Sequence, residues 1–206
     1  YDVATDSFKG YPRLAGGNAP YTMFQDKSGN YWIGTWGEGL WQFFPDEPEN
    51  CYKRHHVIHA RTGESEPIFY SMTQDDTFGY LWLLSYNELY ALKYTEAHTL
   101  ENVDIHDRVN THMMYTKITK DREGNLWLGS YDMAYTVFFD DSRIDSYPLP
   151  QLKEHMGWDA NLLNLCMDTD SVMWISQDRY GLCLYDLQHD LFADTGGDAL
   201  DRLGEV

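Results

Sequence analysis

Positive charge is scarce in this chain. Its 15 Lys and Arg stand against 33 Asp and Glu, for a formal net charge of -18. A surface built to hold nucleic acid is normally basic, so that partner is excluded. Electrostatic docking on anionic lipid is excluded for the same reason. The balance fits neutral or cationic partners. Long apolar runs are also missing. No stretch approaches the roughly 18 to 20 consecutive apolar residues of a membrane-spanning helix, so any tie to a membrane must come through other parts of the protein.

Cysteine is equally sparse. Cys51, Cys166 and Cys183 form neither a disulfide framework nor a C-x-x-C metal motif. The strand order predicted below puts Cys166 and Cys183 two strands apart, roughly 9.5 Å. A disulfide needs Cα atoms within about 7 Å. All three are expected to be buried apolar side chains. The signatures of nucleophilic and phosphate chemistry are missing too: there is no G-x-S-x-G, no H-E-x-x-H and no Gly-rich phosphate loop. Nothing calls for a metal or a cofactor. His55, His56 and His59 invite a metal reading, but neighbouring residues on a strand point to opposite faces. These three are expected to be surface histidines.

What the chain does have is aromatic side chains, 16% of the residues, in a repeating frame. DKSGNYWIGTWGEGLWQF begins at Asp26, DTFGYLWLLSYNELYAL at Asp76, DREGNLWLGSYDMAYTVF at Asp121 and DTDSVMWISQDRYGLCLYD at Asp168. An Asp stands six residues before a Trp in each: Asp26 and Trp32, Asp76 and Trp82, Asp121 and Trp127, Asp168 and Trp174. The Trp-to-Trp steps are 50, 45 and 47 residues. Self-similarity at such a period signals a repeat architecture.

Each unit reads as four short strands separated by turn signals, the size of one propeller blade. The predicted fold is therefore all-β, a β-propeller. Its blades span residues 20–58, 67–104, 111–149 and 161–192, with 193–206 as a C-terminal tail. The apolar second strands are expected to be buried on both faces, with the Trp of each packing on the next sheet. The Asp is expected to accept N–H bonds inside its turn. One carboxylate per loop is too few for the six to eight oxygens that Ca²⁺ prefers. Residues 150–160 and 198–206 could each hold a turn of helix. YDVATDSF at the start repeats four positions of YDLQHDLF at 185–192. The chain is thus expected to open with the last strands of a preceding blade, in 1–11, and to be cut from a longer protein.

The stretches DKSGNYWIGTWGEGL and DREGNLWLGS resemble the two-component regulator propeller repeat, and the lead-in NLLNLCMD at Asn161 is similar to that family's approach to the Asp. The second unit departs from the pattern at Leu84, where the family has Gly, and the fourth lacks the turn Gly. The Trp-Asp and kelch repeats fit less well, since their dipeptides do not recur in the repeat frame, and no Arg cluster supports a sialidase. The resemblance implies the extracytoplasmic, periplasmic sensor half of a membrane-bound hybrid histidine kinase of the Bacteroidetes type, with glycan fragments as ligands. It also implies a ring of about seven blades. The remaining blades of the same protein, or a second copy, would then be partners.

In a propeller the loop between second and third strands opens on one face together with the interblade loop. Four residues after the blade Trp stand Trp36, Tyr86 and Tyr131, and the fourth unit has Tyr180 nearby. Trp158 lies in the interblade loop before that unit. These five are the candidate ligand residues. Their rival roles are packing between blades and a protein interface, since Trp and Tyr favour both. A non-enzymatic glycan sensor is the first expectation, a protein-contact or dimerising propeller the second. A glycan-cleaving propeller is the third, with no carboxylate pair distinguishable in the sequence.

Overall fold

Alternating strand-forming runs and Gly- or Asp-bearing turns leave this chain little choice but short antiparallel strands. A computed structural model describes residues 3–14, 16, 20–59, 61–86, 88–106, 109, 111, 114–130, 134–139, 144–149, 161–168, 171–178, 181–189 and 191–194. Four four-stranded sheets follow one another, each in chain order. The first holds β1 (Pro20–Gln25), β2 (Tyr31–Thr35), β3 (Leu40–Phe43) and β4 (Tyr52–His55). The second holds β5 (Ser71–Gln74), β6 (Leu81–Leu84), β7 (Leu89–Tyr94) and β8 (Leu100–Asn102). The third holds β9 (Tyr115–Lys120), β10 (Leu126–Ser130), β11 (Ala134–Phe139) and β12 (Ile144–Leu149). The fourth holds β13 (Leu162–Met167), β14 (Val172–Gln177), β15 (Gly181–Asp186) and β16 (Leu191–Asp194). No helix occurs among the described residues. The proposed helical turns in 150–160 and 198–206 lie outside them.

The chain divides into two compact units, 1–70 and 71–206. In the first, Leu14, Ile33 and Trp41 form a buried cluster flanked by Phe43 and Tyr52. The segment before β1 lies against this sheet. Tyr11 meets Phe43 edge-on at 4.7 Å, and the Tyr52 hydroxyl donates to Pro12 O at 3.0 Å. Residues 3–6 form a turn, Ser7 an isolated bridge, and 8–14 carry no strand, so among the described residues of 1–11 no strand is formed.

In the second unit one sheet packs on the next as a propeller requires. Trp127 of β10 lies in a cluster with Leu162 and Leu165 of β13 and Met173 and Ile175 of β14. Gly129 permits that approach: a Cβ there would overlap Leu162 Cδ2 and stand 2.9 Å from Leu165 Cδ2. Ser71 Oγ joins β5 to β9, accepting from Ile118 N at 3.3 Å.

Trp32, Trp82 and Trp127 are buried, as are all of β6 and β10 and all but the first residue of β2. Trp174 is only half-buried, and β14 alternates between buried and half-buried positions. The expectation of second strands buried on both faces fails here, because no fifth sheet follows among the described residues. Two further expectations are corrected. Cys166 is exposed, since its position on β13 faces away from the core, while Cys51 and Cys183 are buried. The last strand of the second blade, which the sequence reads as NVDI (102–105), spans Leu100–Asn102 instead, although Val103 N still donates to Ala91 O at 2.8 Å.

The repeated Asp does more than shape its turn. Asp26 Oδ1 accepts from Ser28 N and Asn30 N at 2.9 and 2.8 Å. Its Oδ2 accepts from Asn30 Nδ2 and from the indole Nε1 of Trp32, each at 2.9 Å. Asp121 holds Asn125 and Trp127 in the same way, and Asp168 holds Trp174 at 3.0 Å. The six-residue spacing thus carries a carboxylate to its own blade's indole. In the second blade that role belongs to Asp75, not Asp76. Gln74 pairs with Leu81 where Gln25 pairs with Tyr31, so this turn holds one more residue. Asp75 accepts from Phe78, Gly79 and Tyr80 N and from Trp82 Nε1 at 2.6, 3.1, 2.9 and 2.9 Å. Asp76 turns outward, 2.6 Å from Lys120 Nζ.

Candidate functional site

The loop between β2 and β3 is short, glycine-bearing and tied down on both sides. Thr35 Oγ1 donates to Gly39 O at 2.8 Å and accepts from Glu38 N at 3.0 Å. Gly39 has φ +76°, a conformation most residues resist, and a Cβ there would stand 2.9 Å from Glu66 O. The interblade segment closes over the loop. Gly37 N and Gly39 N both donate to Pro67 O at 2.8 Å, Phe69 N donates to Thr35 O at 2.9 Å, and Trp36 bridges Ile68. The sequence reads IFYSMTQ (68–74) as the first strand of the second blade, but its IFY part is spent partly on this pairing, and the strand is Ser71–Gln74.

A rigid loop of this kind can hold a large side chain in water. Trp36 is 47% exposed. Tyr21, at the start of β1, is 63% exposed, and its ring lies 5.6 Å from that of Trp36 with the planes 45° apart. The ring of Tyr70 lies 6.4 Å from that of Trp36 with the planes 38° apart. The three rings make a shallow shelf within the first unit. Nothing in the repeat frame points to Tyr21 or Tyr70. Their signal is the register, which pairs Pro20 with Thr35 and so sets Tyr21 beside Trp36 at the end of the sheet.

A carboxylate lies beside the shelf. Glu66 Oε1 accepts from Ile68 N at 3.3 Å, which sets this acid next to the residue bridged to Trp36. Glu38 lies in the loop itself, 3.1 Å from Arg54 Nη1. Arg54 also sits over the Trp41 ring at 5.8 Å, so this cation is doubly engaged.

Of the other candidates, Tyr86 follows β6 in the second unit, 50% exposed, in a loop closed by Ser85 N donating to Glu88 O at 2.9 Å. Tyr131, Tyr180 and Trp158 lie outside the described residues. The three histidines do not converge. His56 Nδ1 is 3.3 Å from Ser65 Oγ, and His59 Nδ1 accepts from Arg61 N and Thr62 N at 3.2 and 3.3 Å. His55 is buried, which corrects the surface reading. Its ring lies 5.3 Å from that of Trp32, and Nε2 is 3.1 Å from Gln42 Oε1. Burial there, with Lys53 and His56 nearby, lowers its pKa to about 4.

Successive four-stranded antiparallel sheets, the second strand of each buried around an Asp-held Trp, define this chain as a β-propeller protein of four blade repeats. Residues 14–37, which run from the buried Leu14 through β1 and β2 to the exposed Trp36, match the two component regulator propeller family. No curated protein matches the chain. Among solved structures it is similar to the extracellular domain of a protein assigned as the hybrid two component system BT3049 of B. thetaiotaomicron, with 16% identity and a TM-score of 0.64. That match covers 93% of this chain and 25% of the other. It is similar to YCF48 from Cyanidioschyzon merolae, with 13% identity, a TM-score of 0.58, and 85% and 53% of the two chains covered. It is also similar to virginiamycin B lyase from Staphylococcus aureus, with 10% identity, a TM-score of 0.57, and 89% and 57% covered. The chain spans a quarter of the first of these structures and little more than half of the others. At such identities the likeness is one of fold, which hosts many functions.

Proposed function

We propose that this chain is the ligand-sensing propeller segment of a two-component signalling protein. It lies outside the cytoplasm, in the periplasm, binds a glycan fragment without turning it over, and signals to a kinase elsewhere in the protein. The observation that carries this reading is the exposed Trp36, held out on a hydrogen-bonded loop at the end of the stretch that matches the regulator family. Such a ring offers a flat apolar face to the C–H face of a sugar, while the Glu66 carboxylate beside it accepts hydroxyl protons. The similarity to the extracellular domain of a two component system supports the signalling part.

The same rings suit a protein interface, and that is the second reading. One experiment separates the alternatives. The chain is titrated with mixed oligosaccharide digests while tryptophan fluorescence, product release by chromatography and mass by light scattering are followed. Saturable quenching with intact sugars and an unchanged mass is expected. Release of shorter products would instead make this a glycan-cleaving propeller. A dimer indifferent to sugar would support the protein-contact reading.

A further inference from the structure

The shelf has a composition that selects among sugars, and this inference rests on the sensor reading above. Three rings side by side, with centroids 5.6 and 6.4 Å apart and planes tilted by 45° and 38°, leave no slot between them. A ligand must lie across the rings rather than enter a cage. Each tilted ring offers one apolar face, and such a face suits the C–H face of a single pyranose.

The polar group beside the rings is a hydrogen-bond acceptor. Glu66 Oε1 accepts from the backbone N–H of Ile68, the residue bridged to Trp36. A carboxylate has about four acceptor sites and no donor, so it suits hydroxyl groups and repels a uronate or a sulfate. The cation at this end of the sheet, Arg54, is engaged by Glu38 at 3.1 Å and by the Trp41 face at 5.8 Å. The whole-chain charge of -18 acts in the same sense, lowering the encounter rate of any polyanion.

We propose that Tyr21, Trp36 and Tyr70 form a subsite for uncharged pyranosides, with Glu66 receiving ligand hydroxyl protons, and that this subsite rejects uronic and sulfated glycans.

The test is calorimetric titration of the 206-residue chain with three probes: cellohexaose, mannohexaose and hexagalacturonate. Binding of a neutral hexasaccharide is expected, with no detectable binding of hexagalacturonate. Trp36→Ala and Tyr21→Ala should each weaken the neutral interaction about tenfold or more. Both side chains are exposed, and circular dichroism confirms the fold of each variant. Neutral binding that survives undiminished in both variants overturns the subsite and leaves the sensor reading standing. Binding of hexagalacturonate alone overturns the proposed selectivity. Binding of none of the three overturns the subsite as well, and the sensor reading then depends on the wider digest screen.

Discussion

Asp75 and Trp82 are joined by a 2.9 Å hydrogen bond from the indole Nε1 to Oδ2, across one more residue than separates the matching pair in the other blades. The next residue, Asp76, makes a different bond, to Lys120 of the neighbouring sheet. Two adjacent carboxylates thus divide two tasks, and their removal should differ sharply.

Asp75→Ala leaves three turn N–H groups and a buried indole without their acceptor. It is expected to cost about 2–4 kcal/mol, since each stranded buried donor bears its own desolvation penalty. Asp76→Ala removes a partly exposed ion pair and is expected to cost less than about 1 kcal/mol. Urea denaturation of the two variants side by side measures both, and equal losses would count against this division.

Gly129 lies where β10 meets β13, with no room for a methyl group between it and Leu162 and Leu165. Gly129→Ala is expected to destabilise by about 1–3 kcal/mol through overpacking alone. Leu162→Val, by removing one of the overlapping atoms, should recover part of the loss, which thermal melts of the single and double variants will show.

Gly39→Ala combines a left-handed φ of +76° with a backbone oxygen at 2.9 Å. A cost of about 1–2 kcal/mol from the conformation is expected. The local effect should exceed the global one. Amide exchange at Gly37 and Gly39, both bonded to Pro67 O, should speed up more than exchange in β6 or β10.

The buried His55 makes stability depend on pH. Its folded-state pKa is about 4, against roughly 6.5 when unfolded. Above that upper value both states are neutral and the group contributes no dependence. As pH falls from there toward 4, the unfolded chain takes up a proton that the folded one refuses, so stability declines across this window. Melting temperatures between pH 7.5 and 4.5 should fall less steeply in His55→Gln.

Most of the scaffold was legible because the repeat states it four times. Blade count, strand order and the second-strand Trp all follow from spacing. What spacing could not show was a local insertion. The pattern pointed to Asp76 because that residue keeps the six-residue interval, whereas the extra residue in the turn shifts the task to Asp75. The site was legible in part for a related reason. Trp36 occupies a repeat position, but Tyr21 and Tyr70 reach it through strand register and interblade pairing, which join residues distant in the chain. His55 was misjudged because a histidine's burial depends on whether a neighbour can take its N–H, and Gln42 comes from another strand.

That last contact has a consequence for protons. Asp26 can only accept, so the Asn30 amide must turn its NH₂ toward it and its Oδ1 away. Gln42 must then offer its own NH₂ to Asn30, at 3.1 Å, and face His55 with Oε1. Donation therefore runs one way along the row, from imidazole to carboxylate. Neutral His55 is held as the Nε2–H tautomer by an aspartate it does not touch, and nitrogen chemical shifts of the ring should report Asp26→Ala as a change of tautomer.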